Sequence, residues 1–391
     1  MSSMSDAEPR LLPAQRALFD IPENVAYFNC GYMAPLMHRV VAAGEAGVRR
    51  KRQPWTISPP DFFDLPNQAR DCFARIIGGQ RESIAVVPSV SYGIGTAALN
   101  TEVRPGQEIL LLAEQFPSNV YPWREKARQS GGRVVTVQRP GGADSWTDLL
   151  LNAINERTAV IAVPHCHWTD GSLLDLVAVG EAAREAGAML VIDATQSLGA
   201  MPLDVATVRP DYLVAASYKW LLGPYSLGFM YVAPHRTADR PLEHGWAGRK
   251  GAQDFARLVD YQDQFGPGMK RMDMGEFSQF HLMPMAVAAM EQILEWGVDN
   301  IAATLSKKTT AIAGRAALLG LESVQRDLRA GHFLGLRFSR GVPEGLLEQL
   351  AARNVYVSVR GTSMRITPHV YNTPADTDHL FEALESVLGC S

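Results

Sequence analysis

Seven short apolar runs alternate with amphipathic segments between about residues 80 and 235. In chain order the runs are SIAVVP, EILLLA, RVVTVQ, TAVIAVP, AMLVIDA, YLVAAS and GFMYVAP. Helical patterns separate some of them, at Gly93–Asn100, Pro122–Gln129 and Leu176–Ala186. Such alternation is typical of strands and crossover helices. It predicts an α/β fold with a mostly parallel seven-stranded sheet, in which ligands bind at the carboxyl ends of the strands.

The rest of the chain has a different pattern. Residues 236–280 are rich in Gly, Arg, Asp and Met and are weakly periodic, which indicates a long functional loop region. A helix at about Pro284–Trp296 follows, and a small α+β domain is expected after it, with a helix beyond Thr304, strands near His332–Phe338, Tyr356–Val359 and Met364–Thr367, and a closing helix at Thr377–Leu388. We therefore expect an N-terminal segment (1–25), a large domain (26–283) and a small C-terminal domain (284–391).

The charge and the cysteine content limit the partners and the cellular compartment that we expect for this chain. The 391 residues include 37 Lys and Arg against 41 Asp and Glu, a net charge of −4, so we expect no nucleic-acid partner. No stretch approaches the roughly 20 apolar residues that span a membrane, and MSSMSDAEPR lacks a signal pattern. The four cysteines form no C-x-x-C pair, and we expect a cytoplasmic protein with reduced thiols at Cys30, Cys72, Cys166 and Cys390.

Two segments place chemically active residues directly after apolar strands. VIDATQSLGA contains Asp193 and Gln196, and SYKWLLGP contains Ser217, Tyr218 and Lys219. A carboxylate at the end of a buried strand is costly unless it meets a cation, and a desolvated lysine has a lowered pKa. Such a lysine forms a Schiff base with an aldehyde, and an acid can keep a pyridine nitrogen protonated. The pair therefore indicates pyridoxal phosphate as cofactor, whereas either residue alone would favour a surface lysine or a helix-capping aspartate.

The chain resembles the class V aminotransferase family of fold-type I pyridoxal phosphate enzymes. This group contains cysteine desulfurases, kynureninase and isopenicillin N epimerase. The resemblance extends from YFNCGYMAP near the start to MRITPHVYNT near the end. It implies that Lys219 holds the cofactor as an internal aldimine, that Asp193 partners the pyridine nitrogen, and that Gln196 donates a hydrogen bond to the phenolic oxygen of the ring.

The segment VVPSVSYGIGTAALN puts a polar turn between a strand and a helix, where free N–H groups and the helix dipole favour an anion. By the resemblance the cofactor phosphate lies there, held by the Val90 amide and the Ser91 hydroxyl, and reached also by Ser217 and Tyr218. Taken alone, the turn is also compatible with an ordinary helix cap.

Further residues are expected around the cofactor ring. Phe116, in EQFPSNVYPW, matches the position where desulfurases have a histidine and kynureninase has an aromatic residue, and a flat ring can stack on the pyridine. Trp168 takes the place where many relatives have an asparagine near the phenolic oxygen. His165 and His167 share one face of a strand, which is compatible with a metal site or a lining role, but no carboxylate or cysteine cluster completes a metal site, and we expect none.

The small domain is expected to hold the substrate. Arg365, in SMRITPHVYNT, matches the family arginine that binds the α-carboxylate, and its planar fork suits that group. A solvated strand arginine is the alternative. By the resemblance Asn29 and Gly31 approach the substrate, while Arg360, His369 and Tyr371 lie close to Arg365 in the sequence without an assigned role.

The long loop region is expected to serve a dimer. Trp246, in HGWAGRKG, resembles a kynureninase position that touches the phosphate, and Phe277 with Ser278 matches a segment that reaches the neighbouring subunit's cofactor. The resemblance therefore implies a homodimer with a shared active site. The tryptophan is also compatible with a plain interface anchor.

These residues predict an enzyme that acts on the α-amino group of an amino acid through an external aldimine and a quinonoid. Persulfide-forming desulfuration is disfavoured because VSVRGTS, just before Arg365, carries no thiol. Transamination is the preferred interpretation of the reaction. The alternatives are β-elimination from an S-substituted cysteine, kynureninase-like cleavage, epimerisation or decarboxylating deamination of a secondary-metabolite amino acid. The non-enzyme alternative is a catalytically silent dimer that binds the cofactor.

Overall fold

A computed structural model describes residues 8–139 and 144–389. The β-strands are β1 (Ala26–Tyr27), β2 (Ile84–Val87), β3 (Glu108–Leu112), β4 (Arg133–Val137), β5 (Thr158–Pro164), β6 (Met189–Asp193), β7 (Tyr212–Ala216), β8 (Gly228–Val232), β9 (Leu321–Ser323), β10 (Leu334–Phe338), β11 (Val355–Tyr356), β12 (Ser358–Arg360) and β13 (Ser363–Ile366). The α-helices are α1 (His38–Lys51), α2 (Asp64–Ile76), α3 (Val90–Leu99), α4 (Tyr121–Ser130), α5 (Trp146–Ala153), α6 (Leu176–Glu185), α7 (Val205–Val208), α8 (Leu282–Trp296), α9 (Val298–Leu318), α10 (Leu346–Ala351) and α11 (Pro374–Leu388).

The large sheet consists of the seven apolar runs. Its strand order is β2-β8-β7-β6-β5-β3-β4. Strands β3 to β7 pair in parallel, and β8 runs antiparallel to both β7 and β2. Every residue of β2, β3, β7 and β8 is buried, which explains why these strands are continuous apolar runs without alternation. The predicted α/β fold with a mostly parallel seven-stranded sheet is confirmed.

Two cores cover the two faces of this sheet. One face packs against α2, α6 and α8, through side chains such as Val86, Leu110, Ile161, Ile192 and Leu213. The other packs against α3 and α4, through Ala85, Ile109, Val160, Val191 and Val214. Alternate residues of each strand enter opposite cores, as the two-residue period of a strand requires.

The small domain contains an antiparallel sheet of order β12-β13-β10-β9, with α9 and α11 packed on it. Strand β1 also belongs here, because it pairs in parallel with β11 and because Ala26 and Phe28 lie in the small-domain core. Helix α8 packs on the large domain, and α9 contributes side chains to both cores. Helix α9 thus spans both cores, and the domain limits at residues 26 and 284 stay a prediction.

The region between β8 and α8 holds two short 3-10 helices, Phe255–Arg257 and Met269–Met272, which agrees with the predicted loop. Among the described residues, no helix combines the length and the apolar character that crossing a membrane requires. The small domain, the loop and the carboxyl edge of the large sheet together position the site described next.

Candidate active site

A cavity of about 280 Å³ lies at the carboxyl ends of β6 and β7, close to the lower end of the roughly 300–1,000 Å³ range of ligand pockets. Eight residues predicted from the sequence line it: Val90, Ser91, Phe116, Trp168, Asp193, Gln196, Tyr218 and Lys219. The remaining lining residues were not predicted and are Pro88, Ser89, Ser118, Thr195, Ala216, Tyr225, Ser226 and Leu227.

Lys219 provides the amine of the site. It follows β7, and its side chain is only 6% exposed. Burial lowers the pKa of Lys219 to about 8, while the nearby Asp193 carboxylate opposes this shift. The Lys219 Nζ lies 5.4 Å from the centre of the Phe116 ring. A buried amine with a lowered pKa is neutral in a substantial fraction of molecules near pH 8, and only a neutral amine is a nucleophile.

Asp193 is the last residue of β6 and is fully buried behind the cavity. Burial raises the pKa of Asp193, and hydrogen bonds from Thr195 and the charge of Lys219 lower it by less. The Thr195 N–H donates to Asp193 Oδ1 at 3.0 Å, and the Ala216 N–H donates to Thr195 Oγ1 at 3.2 Å. Within the described ranges, no Lys, Arg or His nitrogen lies within 4 Å of this carboxylate. Asp193 is therefore held in place but lacks a close cationic partner.

Gln196 is anchored on both sides of its amide. Its Nε2 donates to the Gly31 carbonyl at 3.0 Å, and its Oε1 accepts from Trp220 Nε1 at 2.9 Å. One N–H of the amide is left for a ligand, because an amide nitrogen carries two. Across the cavity the edge of Phe116 meets Trp168 with ring centres 5.2 Å apart, and the Trp168 indole donates to the Glu114 carbonyl at 2.6 Å.

The N-terminus of α3 forms one end of the cavity. Ser89 caps this helix by accepting from the Tyr92 N–H at 3.2 Å, and its hydroxyl lies 2.9 Å from that of Ser91. The free N–H groups of the first turn, which includes Val90, and the helix dipole make this end an anion site. Ser89 was missed although a serine directly before a helix is a recognised cap.

Ser217 lies elsewhere than expected. Its hydroxyl is buried against Gly223 and has no hydrogen-bond partner among the described residues. A Cβ at Gly223 would collide with that hydroxyl, so a larger residue there would force the Ser217 side chain to move. Ser217 and Tyr218 follow β7 in a turn, and of the two only Tyr218 is among the residues that line the cavity. The structure therefore does not bring Ser217 to the predicted phosphate site.

Arg365 lies behind Trp168 in β13 and is almost fully buried. It donates to the Trp168 carbonyl at 3.1 Å, and its Nε and Nη2 donate to Ser358 Oγ at 2.9 and 2.7 Å. The Ser358 hydroxyl in turn donates to Asn29 Oδ1 at 2.8 Å. Burial and the charge of Arg360 lower the pKa of Arg365 to about 9.

Two predicted substrate residues act through others in this structure. Asn29 contacts Arg365 only through Ser358, and Gly31 contacts the site through its carbonyl, which accepts from Gln196. Neither of the two lines the cavity. Ser358 itself was missed, because its contact with Arg365 depends on the register of the β12–β13 hairpin, which pairs the two residues.

Trp246 and Ser278 lie away from the cavity of their own chain. Trp246 packs edge-on against Phe62 and Phe255, with ring centres 6.3 and 5.2 Å apart. The Ser278 hydroxyl donates to the Phe62 carbonyl at 2.9 Å. Neither side chain lines the site, so their predicted cofactor contacts do not occur within one chain.

The two histidines also lie outside the cavity. His165 Nδ1 is 3.1 Å from Ser197 Oγ, and His167 donates or accepts with Thr169 Oγ1 at 2.7 Å and reaches the Ala113 carbonyl at 3.0 Å. Burial lowers the pKa of both. No group of three His, Cys, Asp or Glu side chains that could hold a metal occurs in the part of the chain that the structure describes.

The arrangement fits pyridoxal phosphate. Lys219 offers an amine to the aldehyde, the unpaired Asp193 carboxylate offers a partner to a protonated pyridine nitrogen, and the N-terminus of α3 offers N–H groups to the phosphate. The face of Phe116, towards which Lys219 Nζ points, offers a stacking surface for the ring.

Comparisons with known proteins agree with this fit. The family described as "Aminotransferase class-V" matches residues 61–373. The isopenicillin N epimerase of Streptomyces clavuligerus is 25% identical over 365 residues, which cover 85% of this chain and 88% of the relative. The uncharacterized aminotransferase YcbU of Bacillus subtilis is 26% identical, with 81% and 82% covered. The kynureninase of Pseudomonas fluorescens is 26% identical, with 67% and 64% covered.

Solved structures share the fold. The apo cysteine desulfurase of Thermococcus onnurineus NA1 superposes with a TM-score of 0.82 at 16% identity, covering 97% of this chain and 99% of that one. The cystine C-S lyase C-DES, in complex with cysteine persulfide, superposes with a TM-score of 0.82 at 18% identity, covering 93% and 98%. The chain is therefore a fold-type I enzyme of the class V aminotransferase family, whose cofactor is pyridoxal 5'-phosphate.

Proposed function

We propose that this protein acts at the α-carbon of an amino acid and transfers its α-amino group, with Lys219 as the catalytic base. The observation that carries the proposal is a single cavity that joins Lys219, Asp193, Phe116 and the N-terminus of α3, with the buried Arg365 just behind its Trp168 wall.

The roles follow from what each side chain can do. Bound pyridoxal phosphate supplies an aldehyde carbon and an electron-accepting ring. Arg365 binds the α-carboxylate through its remaining N–H groups and so orients the α-carbon over the ring. Lys219 Nζ then takes the α-proton, because Phe116 has no titratable group and burial raises the pKa of the lining Tyr218 to about 12. Asp193 holds the ring nitrogen protonated.

Persulfide chemistry fits this chain poorly. Cys30, Cys72 and Cys166 are free but buried, and burial raises the pKa of each thiol. A thiolate is the reacting form, and these thiols are neither exposed nor readily ionised. Cys390 lies outside the described residues. These properties support an activity other than persulfide-forming desulfuration.

We further propose a homodimer with a shared site. Tyr225 lines the cavity yet is 61% exposed, so one side of the cavity is open in the single chain. Trp246 and Ser278, whose matching positions in relatives serve the cofactor, lie in or next to an aromatic cluster of their own chain, in which Trp246 is 37% exposed and Ser278 is buried. A second copy placed against the open side would bring this cluster towards its neighbour's cavity.

Absorbance of the cofactor-loaded protein should reveal the reaction when amino acids are added one at a time without keto acid. With a substrate, the visible band of the lysine-bound cofactor should fall and a stable shorter-wavelength band of the aminated cofactor should replace it. A subsequent keto acid should restore the original band, because amino transfer is reversible. The spectrum and the released keto acid are measured together on the same sample.

Other outcomes point to the other reactions. If the visible band returns while pyruvate or ammonia is released continuously, the reaction is elimination and not amino transfer. Release of a side-chain fragment from kynurenine would indicate cleavage, and loss of optical activity alone would indicate epimerisation. A band that no amino acid perturbs would contradict the proposed function altogether.

Cofactor attachment should depend on pH with a midpoint near 8. The rate at which pyridoxal phosphate produces the visible band on apo-protein should rise with pH and level off above about 8, because the neutral fraction of Lys219 limits attack. Stopped-flow absorbance between pH 6.5 and 10 measures this profile. A free N-acetyl-lysine sample in the same buffers should continue to rise towards about 10.4. A protein midpoint equal to that of free lysine would contradict the effect of burial.

A further inference from the structure

The β12–β13 hairpin places a second arginine beside Arg365. Gly361, with φ +55°, and Thr362 form the two-residue turn, so Arg360 pairs with Ser363 and Ser358 pairs with Arg365. Paired residues of antiparallel strands lie on the same face, and so do residues two apart. Arg360 and Arg365 are therefore diagonal neighbours on one face of the hairpin.

Both arginines contact the indole that forms a wall of the cavity. The Arg360 and Arg365 guanidinium carbons lie 5.5 and 5.8 Å from the centre of the Trp168 ring. Arg360 is partly buried and not itself a lining residue, whereas Trp168 is. The charges of both arginines also lower the pKa of Lys219. Arg360 is thus a cation beside an indole that lines the cavity.

Neither charge is compensated. In the described ranges, no carboxylate oxygen lies within 4 Å of either guanidinium. Among the described residues, Arg360 donates only to the carbonyl of its neighbour Val359, at 2.7 Å. The single acid among the lining residues is Asp193, which the cofactor ring requires. Two adjacent cations without an anion repel each other, and one α-carboxylate neutralises only Arg365.

We infer that Arg360 binds a second carboxylate, on the side chain of the substrate, and that the enzyme therefore prefers acidic amino acids. The inference rests on the proposed function, because it assumes that Arg365 takes the α-carboxylate. The Trp168 indole, which both guanidinium groups contact, would pack against the carbon chain that joins the two carboxylates. A planar fork with free N–H donors, on a hairpin with a short turn, suits a carboxylate at a defined distance from the α-carbon.

Ligand pairs that differ only by carboxylate against amide test the inference. We choose aspartate with asparagine, glutamate with glutamine, and S-carboxymethylcysteine with its side-chain amide. The change in cofactor absorbance on ligand addition gives a Kd for each, and steady-state rates give KM and kcat for those that turn over. In wild type, the acid of at least one pair should bind at least about tenfold more tightly than its amide.

Arg360→Met should reduce that ratio to about one. The Kd of the amide should stay unchanged, and for the acid KM should rise while kcat changes little, because the α-carbon chemistry is untouched. Arg360→Lys should retain part of the preference, since it keeps the charge but loses the planar fork. Arg340→Met, at an exposed arginine of the same domain, is the charge-matched control and should leave the ratio at its wild-type value.

The results that would overturn this inference differ from the result that would overturn the proposed function. The inference would be overturned if wild type bound the acid and the amide equally in every pair. It would also be overturned if Arg360→Met lost affinity for the acid and for the amide to the same extent. In either case amino acids would still perturb the cofactor band, and the proposed function would stand. A band that no amino acid perturbs would overturn the proposed function and this inference with it.

Discussion

Replacing Lys219 with alanine should abolish the visible absorbance band that pyridoxal phosphate gives with the wild-type protein. In the part of the chain that the structure describes, Lys219 is the only lysine that lines the cavity, and its amine lies 5.4 Å from the centre of the Phe116 ring. Turnover should fall by at least about 10²–10⁴-fold from the lost proton transfer alone. Absorbance after gel filtration and the rate of product formation measure the two effects on the same sample.

Two further variants separate chemistry from packing. Lys219→Arg keeps a positive charge near Asp193 but cannot form the imine, so it should be as colourless as Lys219→Ala. Lys126→Ala removes another lysine whose pKa burial lowers, on α4 and outside the cavity, and should remain coloured and active. A coloured and active Lys219→Ala protein would contradict the central assignment of this site.

Most of the large sheet could be predicted because its strands are short apolar runs, most of them buried, which polar turns separate. Helix α1 could not, since Gly44 and Gly47 lower its helix propensity. Both glycines are needed for tertiary packing, because a Cβ at Gly44 would meet Met285 at 2.6 Å and one at Gly47 would meet the Phe280 carbonyl at 2.2 Å. Close contacts between elements far apart in sequence leave no local pattern to detect.

The residues of the site likewise fall into those that the sequence predicts and those that it does not. Asp193 and Lys219 could be predicted because each follows a strand of one parallel sheet, and such ends meet at one edge. Ser358 could not, because its hydroxyl links Asn29 to Arg365 across 329 and 7 residues of sequence respectively. Ser217 shows why the motif alone is insufficient, because the turn that follows β7 packs the Ser217 hydroxyl against Gly223 while the neighbouring Tyr218 lines the cavity.

The way in which α9 joins the two cores could not be predicted from the sequence either. A helical pattern after a long loop gives no sign of which core the helix enters. Helix α9 enters both, with Ile301 and Leu305 in the large-domain core and Ile312 and Ala316 in the small-domain core. One helix therefore joins the sheet that holds Lys219 to the domain that holds Arg365. The distance between amine and guanidinium depends on this shared helix and on the pairing of Asn29 with Thr367.

Arg365→Met should lower kcat/KM for the best amino-acid substrate by about 10²–10³-fold, because removing one partner of a buried charge pair costs about 2–5 kcal/mol or more. Most of the loss should appear in the affinity for the α-carboxylate. The measurement compares the amino acid with the amine that lacks this carboxylate, using both the perturbation of the cofactor band and the rate. Wild type should prefer the amino acid strongly, and Arg365→Met should bind the two almost equally.

Ser358→Ala provides the graded counterpart. It removes the oxygen that accepts from Nε and Nη2 while it leaves the charge of Arg365 in place, so kcat/KM should fall less than in Arg365→Met. The unfolding free energy of apo Arg365→Met should not fall by a comparable amount, because the variant removes a buried cation that has no counter-ion among the described residues. Lost activity with retained stability would identify the uncompensated charge as one kept for the substrate. If Arg365→Met still preferred the amino acid to the amine without the carboxylate, Arg360, which contacts the same indole, would be the residue that binds the α-carboxylate.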